Sequence, residues 1–199
     1  MILVGLTGGI GAGTSTVSAR LAERGAVIVD ADQIARDLQS PGSPVVAAMA
    51  ERFGAHIVGE DGELDRGAVA EIVFNDKDAL KDLNGIVHPA MQDEIQRQID
   101  AQRDTDKVVV LDFPLLGENP REGLVATIVV DVPTDIAVER LVQQRGMDEG
   151  DARARIDSQI SREERRQRAS HVIDNSGSLE ALDAQLDELW AELTSLPQR

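Results

Sequence analysis

Apolar residues along this chain fall into short unbroken runs, separated by longer stretches in which they recur at helical spacing. The first run, Ile2-Leu3-Val4-Gly5-Leu6, ends in Thr7-Gly8-Gly9 and predicts a buried strand followed by a turn. Helical spacing through Val17, Leu21 and Ala22 stops at Gly25. Ala26-Val27-Ile28-Val29 is then a second β-rich run, closed by Asp30-Ala31-Asp32. Residues 108–111 and 127–132 predict two further strands, and Val172-Ile173 a fifth. Helices are predicted over residues 134–144 and 148–168 and beyond Ser178. Unbroken apolar strands alternating with helices imply a parallel sheet covered on both faces. The expected fold class is α/β, in three α/β/α layers around a five-stranded parallel sheet.

Residues 40–103 interrupt this rhythm. They are mostly helical, with turn material at Gly54, at Gly59-Glu60-Asp61-Gly62 and at His88-Pro89, and read as a helical insertion between the second and third strands. The last helix carries Leu179, Leu182, Leu186, Leu189 and Leu193 at alternating spacings of three and four. It is too short for sustained heptads, so these leucines, with Trp190, are assigned to core packing.

A length of 199 residues fits one domain with an inserted subdomain. Aromatic residues are only 2%, so Leu, Ile, Val and Ala must build the core. The absence of cysteine excludes disulfides, thiolate chemistry and cysteine-based zinc sites. The N-terminal apolar run has no basic leader and stops at Thr7, and no later run is long enough to span a bilayer, so a cytoplasmic location is expected. A net charge of −16 repels nucleic-acid backbones and anionic membranes and argues against both as partners. Basic residues are concentrated in residues 140–168, where eight arginines face six acids. Ion pairs on a solvated helix account for any one of them; the cluster as a whole suits phosphate.

The chemistry concentrates in Gly8-Gly9-Ile10-Gly11-Ala12-Gly13-Thr14-Ser15-Thr16, with a strand before it and a helix after it. Gly8 and Gly13 occupy the two fixed glycine positions of a phosphate-binding loop, and Ser15 the hydroxyl position that holds Mg²⁺. Glycines let the backbone pass close to phosphate oxygens, and the successive N–H groups with the following helix N-terminus form an anion nest. Thr16 is placed to reach a phosphate oxygen. A dinucleotide-binding Gly-x-Gly-x-x-Gly pattern is not matched from Gly8 or Gly9. Thr14 stands where the phosphate-loop pattern has lysine. A well-placed cation at a phosphoryl-transfer transition state is worth about 10³ to 10⁵ in rate, or about 4 to 7 kcal/mol. Threonine brings none of that charge. The lysines (Lys77, Lys81, Lys107) are far from the loop in sequence, which leaves the arginine cluster as the better source.

From Gly5-Leu6-Thr7-Gly8-Gly9-Ile10-Gly11 onward the chain resembles the dephospho-coenzyme A kinase family. Val29-Asp30-Ala31-Asp32, Ile86-Val87-His88-Pro89 and Leu111-Asp112-Phe113-Pro114-Leu115-Leu116 carry the resemblance further. So does the stretch from Arg162-Glu163-Glu164-Arg165 to Val172-Ile173-Asp174-Asn175-Ser176-Gly177, so that nearly the whole chain is covered. The resemblance implies transfer of the ATP γ-phosphate to the ribose 3′-hydroxyl of dephospho-CoA, with Mg²⁺. It also implies three parts: a core over residues 1–39, 104–139 and 169–199, a helical substrate subdomain over 40–103, and a lid over 140–168.

Asp32 would be the base, or the N-cap of the helix that follows, with Asp30 structural or near the metal. Asp112 would approach the metal or cap the turn before Pro114. His88 and Arg66 are substrate-binding candidates. Arg140 and Arg145 match lid arginines, Arg140 as a catalytic charge and Arg145 on ATP. Asn175 and Gly177 would lie by the adenine, and Gly8, Gly9, Gly11, Ala12, Gly13, Thr14, Ser15 and Thr16 would hold the phosphates. Thr14, Gly117 and His171 depart from the family pattern. The rival to an active kinase is a nucleotide- or CoA-binding protein impaired by Thr14; a third reading keeps the chemistry and changes the acceptor alcohol. A monomer or weak homo-oligomer is expected.

Overall fold

The computed structural model describes residues 1–74, 76–118 and 121–196. Its elements run β1 (Ile2–Gly8), α1 (Thr14–Glu23), β2 (Val27–Asp30), α2 (Ala31–Asp37), α3 (Pro44–Phe53), α4 (Arg66–Phe74) and α5 (Lys77–Asp100). They continue with β3 (Val108–Asp112), β4 (Ala126–Asp131), α6 (Thr134–Arg145), α7 (Glu149–Asp157), α8 (Arg162–Gln167), β5 (His171–Asp174) and α9 (Leu179–Ser195). The strands form one parallel sheet in the order β2-β3-β1-β4-β5. β1 lies between β3 and β4, with Leu6 beside Asp112 and Gly8 beside Val130. Successive strands leave β1 in opposite directions, so the loop after it opens at the topological switch point of the sheet's carboxyl edge, where such folds bind ligands.

Burial on both faces explains why the strands read as unbroken apolar runs: Val4, Leu6, Val110 and Ile128 are fully buried. Val17 and Leu21 of α1 join Leu182, Leu186, Leu189 and Leu193 of α9 in the same core. Leu179, at the start of α9, is instead 53% exposed. Trp190 packs half-buried against this core.

The chain divides into two compact units, one of Met1–Val29 with the residues from Gln102 onward, the other Asp30–Ala101. The second unit is helical, and Val45, Met49, Phe53, Ile57, Val69 and Ala79 form its own core.

Two expectations about elements are corrected. His88-Pro89 is no turn: α5 runs unbroken for 24 residues with Pro89 inside it. An interior proline costs about 3 kcal/mol because it removes a bond to the carbonyl four residues back and crowds it. Here that residue is Gly85, on an exposed face where even an added Cβ would meet nothing within 4 Å, so water can take the carbonyl. The predicted helix over residues 148–168 is divided into α7 and α8. Ser161 starts α8 with a capping box, its hydroxyl accepting from Glu164 N–H at 3.2 Å while the Glu164 carboxylate accepts from Ser161 N–H at 3.2 Å.

Candidate active site

The loop between β1 and α1 turns through Gly11 (φ 79°) and Gly13 (φ 88°), a left-handed backbone that only glycine adopts cheaply. Space also demands glycine at both. A Cβ on Gly11 would lie 2.8 Å from the Ala137 carbonyl oxygen of α6, and one on Gly13 would lie 2.4 Å from Asn175 Nδ2. Gly13 caps α1 without a side chain, so the first helical amides stay open. Among the described residues no protein acceptor takes the N–H groups of Gly11, Gly13, Thr14 or Ser15. The N–H of Ile10 donates to Gln159 Oε1 at 3.0 Å.

Gly11, Gly13, Ser15 and Thr16 line a cavity of about 370 Å³, closed by Arg140 and Arg145 of α6 and by Asn175, Gly177 and Leu179 after β5. Arg140 is fixed by two backbone carbonyls: Nη1 donates to Ala12 at 3.3 Å and Nη2 to Asn175 at 2.7 Å. The buried Asn175 side chain donates Nδ2 to the same Ala12 carbonyl at 2.8 Å, so its amide holds the loop's shape from below. Among the described residues neither Arg140 nor Arg145 is paired with a carboxylate, which leaves two full positive charges at a nest of open amides. That arrangement attracts a polyanion.

On the other side of the loop, Gly9 and Ile10 share a cavity of about 280 Å³ with Asp131, Gln159, Arg162 and Arg165. Asp131, at the end of β4, is buried and accepts from Arg162 Nε at 2.8 Å, Arg162 Nη2 at 2.7 Å and Arg166 Nη1 at 2.5 Å. Burial alone would raise the pKa of its carboxyl, but the two guanidinium groups outweigh that and hold it below the ordinary range.

In this first unit Asp112 ends β3 beside Leu6. Asp32 belongs to the helical unit, on the first turn of α2, exposed and without a hydrogen bond or ion pair among the described residues. The capping role open to it goes to Asp30, whose carboxylate accepts from Gln33 N–H at 2.8 Å. Arg66 starts α4 and lines a largely apolar cavity of about 310 Å³ with Met49, Val69, Leu83 and Val87. His88 follows Val87 on α5 but faces solvent.

A model of the dephospho-CoA kinase family matches residues 2–181. The dephospho-CoA kinase of Thermobifida fusca is 48% identical over 194 residues, covering 97% of this chain and 96% of that one. The enzyme of that name from Streptomyces avermitilis is 47% identical, covering 97% and 94%. The solved dephospho-CoA kinase of Campylobacter jejuni superposes with a TM-score of 0.68 at 26% identity, covering 96% of each chain. The chain belongs to the dephospho-CoA kinase family.

Within this family fold, Gly11, Gly13, Ser15 and Thr16 of the expected loop line one cavity with Arg140, Arg145, Asn175 and Gly177, while Gly9 and Ala12 line the other and Gly8 and Thr14 line neither. Thr14 starts α1 with its Cγ2 2.8 Å from where a Cβ on Gly8 would stand. Sequence reasoning missed Leu179 and Gln159 as site residues and did not single Arg165 out of its cluster. An exposed leucine at a helix start, a glutamine between helices and one arginine among eight carry no local signal; only the tertiary structure puts them against the loop.

Proposed function

We propose that this chain transfers the γ-phosphate of ATP to the ribose 3′-hydroxyl of dephospho-CoA, giving CoA and ADP. The observation that supports it most is the set of open amides at Gly11, Gly13, Thr14 and Ser15 beside a cavity lined by two arginines that have no carboxylate partner among the described residues. In this reading the amides and Thr16 hold the triphosphate, Arg140 and Arg145 balance its charge, and the exposed apolar side chain of Leu179 offers the adenine a surface. The 3′-oxygen attacks the γ-phosphorus, the bond to the β-γ bridging oxygen breaks, and the hydroxyl proton passes to the Asp32 carboxylate. Asp32 suits the role because no hydrogen bond or ion pair among the described residues occupies its oxygens.

The donor set fits Mg²⁺: the exposed Ser15 hydroxyl and the Asp112 carboxylate are hard oxygen ligands, and no cluster of three metal-binding side chains is present among the described residues to favour another metal. When bound, the ion would neutralise charge between the β- and γ-phosphates. Arg66 and His88 are assigned to the acceptor in the helical unit. Residues 140–168 are assigned to a lid that excludes water once ATP is in place. No helix among the described residues is long and apolar enough to cross a membrane, and the reading is of a cytoplasmic enzyme.

The alternative, a nucleotide binder that does not transfer phosphate, rests on Thr14 and gains no support from the relatives named above. Incubating the purified protein with ATP, Mg²⁺ and dephospho-CoA separates the two. CoA formation that is lost in Asp32→Ala is expected. Saturable ATP binding with no CoA at high protein concentration would establish the binder instead.

A further inference from the structure

α8 brings four arginines, including Arg168 just beyond its end, to the neighbourhood of the loop, and three of them are committed elsewhere. Arg162 and Arg166 clamp Asp131, and Arg168 Nη1 donates to the Gly117 carbonyl at 2.5 Å. The fourth, Arg165, is 8% exposed and has no carboxylate partner among the described residues. Its Nη2 donates to the Ile160 carbonyl at 2.9 Å. Its stem runs over Gly117, where a Cβ would lie 3.5 Å from Cγ and 3.7 Å from Nε. Its Nη1 lies 2.9 Å from where a Cβ on Gly9 would stand. A guanidinium buried without an anion is costly, and burial lowers its pKa, with the carboxylates of Glu118 and Asp131 acting against that. A buried charge of this kind suits an anion that would complete it.

The side chains of residues 14 and 165 approach neighbouring residues at the start of the loop. Thr14 Cγ2 reaches Gly8, and the Arg165 guanidinium reaches the next residue, Gly9. The phosphate-loop lysine would extend from position 14 toward this first turn of the loop, and Thr14 leaves it uncharged. Arg140 sits at the opposite end, 3.6 Å from the Cβ position of Gly13. We propose that Arg165 supplies, beside Gly9, the positive charge on the β- and γ-phosphates that Thr14 cannot supply. It is a catalytic residue for the reaction assigned above, and the inference rests on that reading. The three committed arginines act as positioning residues, because the Asp131 clamp and the Gly117 carbonyl fix α8 and so aim Arg165.

A two-background substitution experiment on the full chain tests this. Arg165→Ala and Arg165→Lys are made with Thr14 present and again with Thr14→Lys. Each variant is assayed for CoA formation, for affinity toward AMP and a non-hydrolysable ATP analogue, and for melting temperature. With Thr14 present, Arg165→Ala should lower kcat by about 10² to 10³ and weaken the triphosphate analogue at least about tenfold while sparing AMP. In the Thr14→Lys background the same change should cost less than about tenfold in kcat, because lysine already carries the charge. Arg165→Lys should retain part of the activity, and it decides the matter if Arg165→Ala fails to fold. Equal losses in both backgrounds, or equal weakening of AMP and the triphosphate analogue, would overturn the proposal and leave Arg165 a packing residue. A wild type that makes no CoA defeats the kinase reading, yet the AMP against triphosphate comparison still decides Arg165.

Discussion

Replacing Asp131 with asparagine removes one buried charge and leaves two guanidinium groups facing an amide. The carboxylate accepts three hydrogen bonds from Arg162 and Arg166, and its side chain is only 5% exposed. Breaking a buried pair from one side costs about 3 to 5 kcal/mol. Both arginines keep 43% of their side-chain surface in water and can turn outward, which brings the cost of Asp131→Asn below that range, to about 2 to 3 kcal/mol. For a chain of this size each kcal/mol moves the melting temperature by about 2 to 4 °C, so a fall of about 4 to 12 °C is expected. The pH dependence adds an independent check. The Asp131 carboxyl is held below its ordinary pKa in the fold, so its contribution is fully present above the unfolded value, near about 3.9. It is lost as pH falls through the lower folded value. The gap between wild type and Asp131→Asn, followed by thermal denaturation from pH 7 downward, should therefore narrow only below about pH 4. A shift of less than about 2 °C at pH 7, or a gap that widens in acid, would refute the clamp as an energetic element.

Other consequences are as definite. Asp32→Asn should lower kcat by about 10² to 10⁴ while leaving ATP affinity and melting temperature unchanged, because the carboxylate holds no partner among the described residues; a matching loss of stability would contradict its assignment as the base. Gly13→Ala puts a Cβ at φ 88° and 2.4 Å from Asn175 Nδ2, displacing the bond to the Ala12 carbonyl; a cost of about 2 to 4 kcal/mol and weakened ATP binding are expected, and a wild-type melting curve would show the loop less constrained than described. Glu94 on α5 is held at a pKa of about 2 by hydrogen bonds first from Arg97 and then from Gln98. Its contribution, about 0.3 to 0.5 kcal/mol for such a helical pair, is present above about pH 4.3 and lost toward pH 2, so the difference between wild type and Glu94→Gln should close in that window; growth of the difference in acid would be the wrong sign.

The fold was legible because its strands are buried on both faces. Residues 2–6, 108–111 and 127–132 announce themselves by composition alone, and the glycines of the loop declare a backbone that side chains would obstruct. Helix breaks were harder to read. Pro89 signals a turn by its chemistry, and only an open helix face at Gly85 lets α5 pass through it. Residues 148–168 have helix-forming composition throughout, yet a capping box at Ser161 restarts the helix. The cap before α2 went to Asp30 and not to Asp32, a difference of two residues that leaves the Asp32 carboxylate without a partner among the described residues.

The sequence by itself determined the phosphate loop, the five strands and the absence of a lysine at position 14, because spacing and side-chain chemistry are local properties. It narrowed the compensating charge to a segment holding eight arginines and could go no further, since all eight are chemically the same. Only the tertiary structure distinguishes them: Asp131 neutralises two, backbone carbonyls hold Arg140 and Arg168, and Arg165, bound to the Ile160 carbonyl but without a carboxylate partner among the described residues, is carried to Gly9. Distance and burial decide what a charge does, and neither is written in the order of residues along a chain.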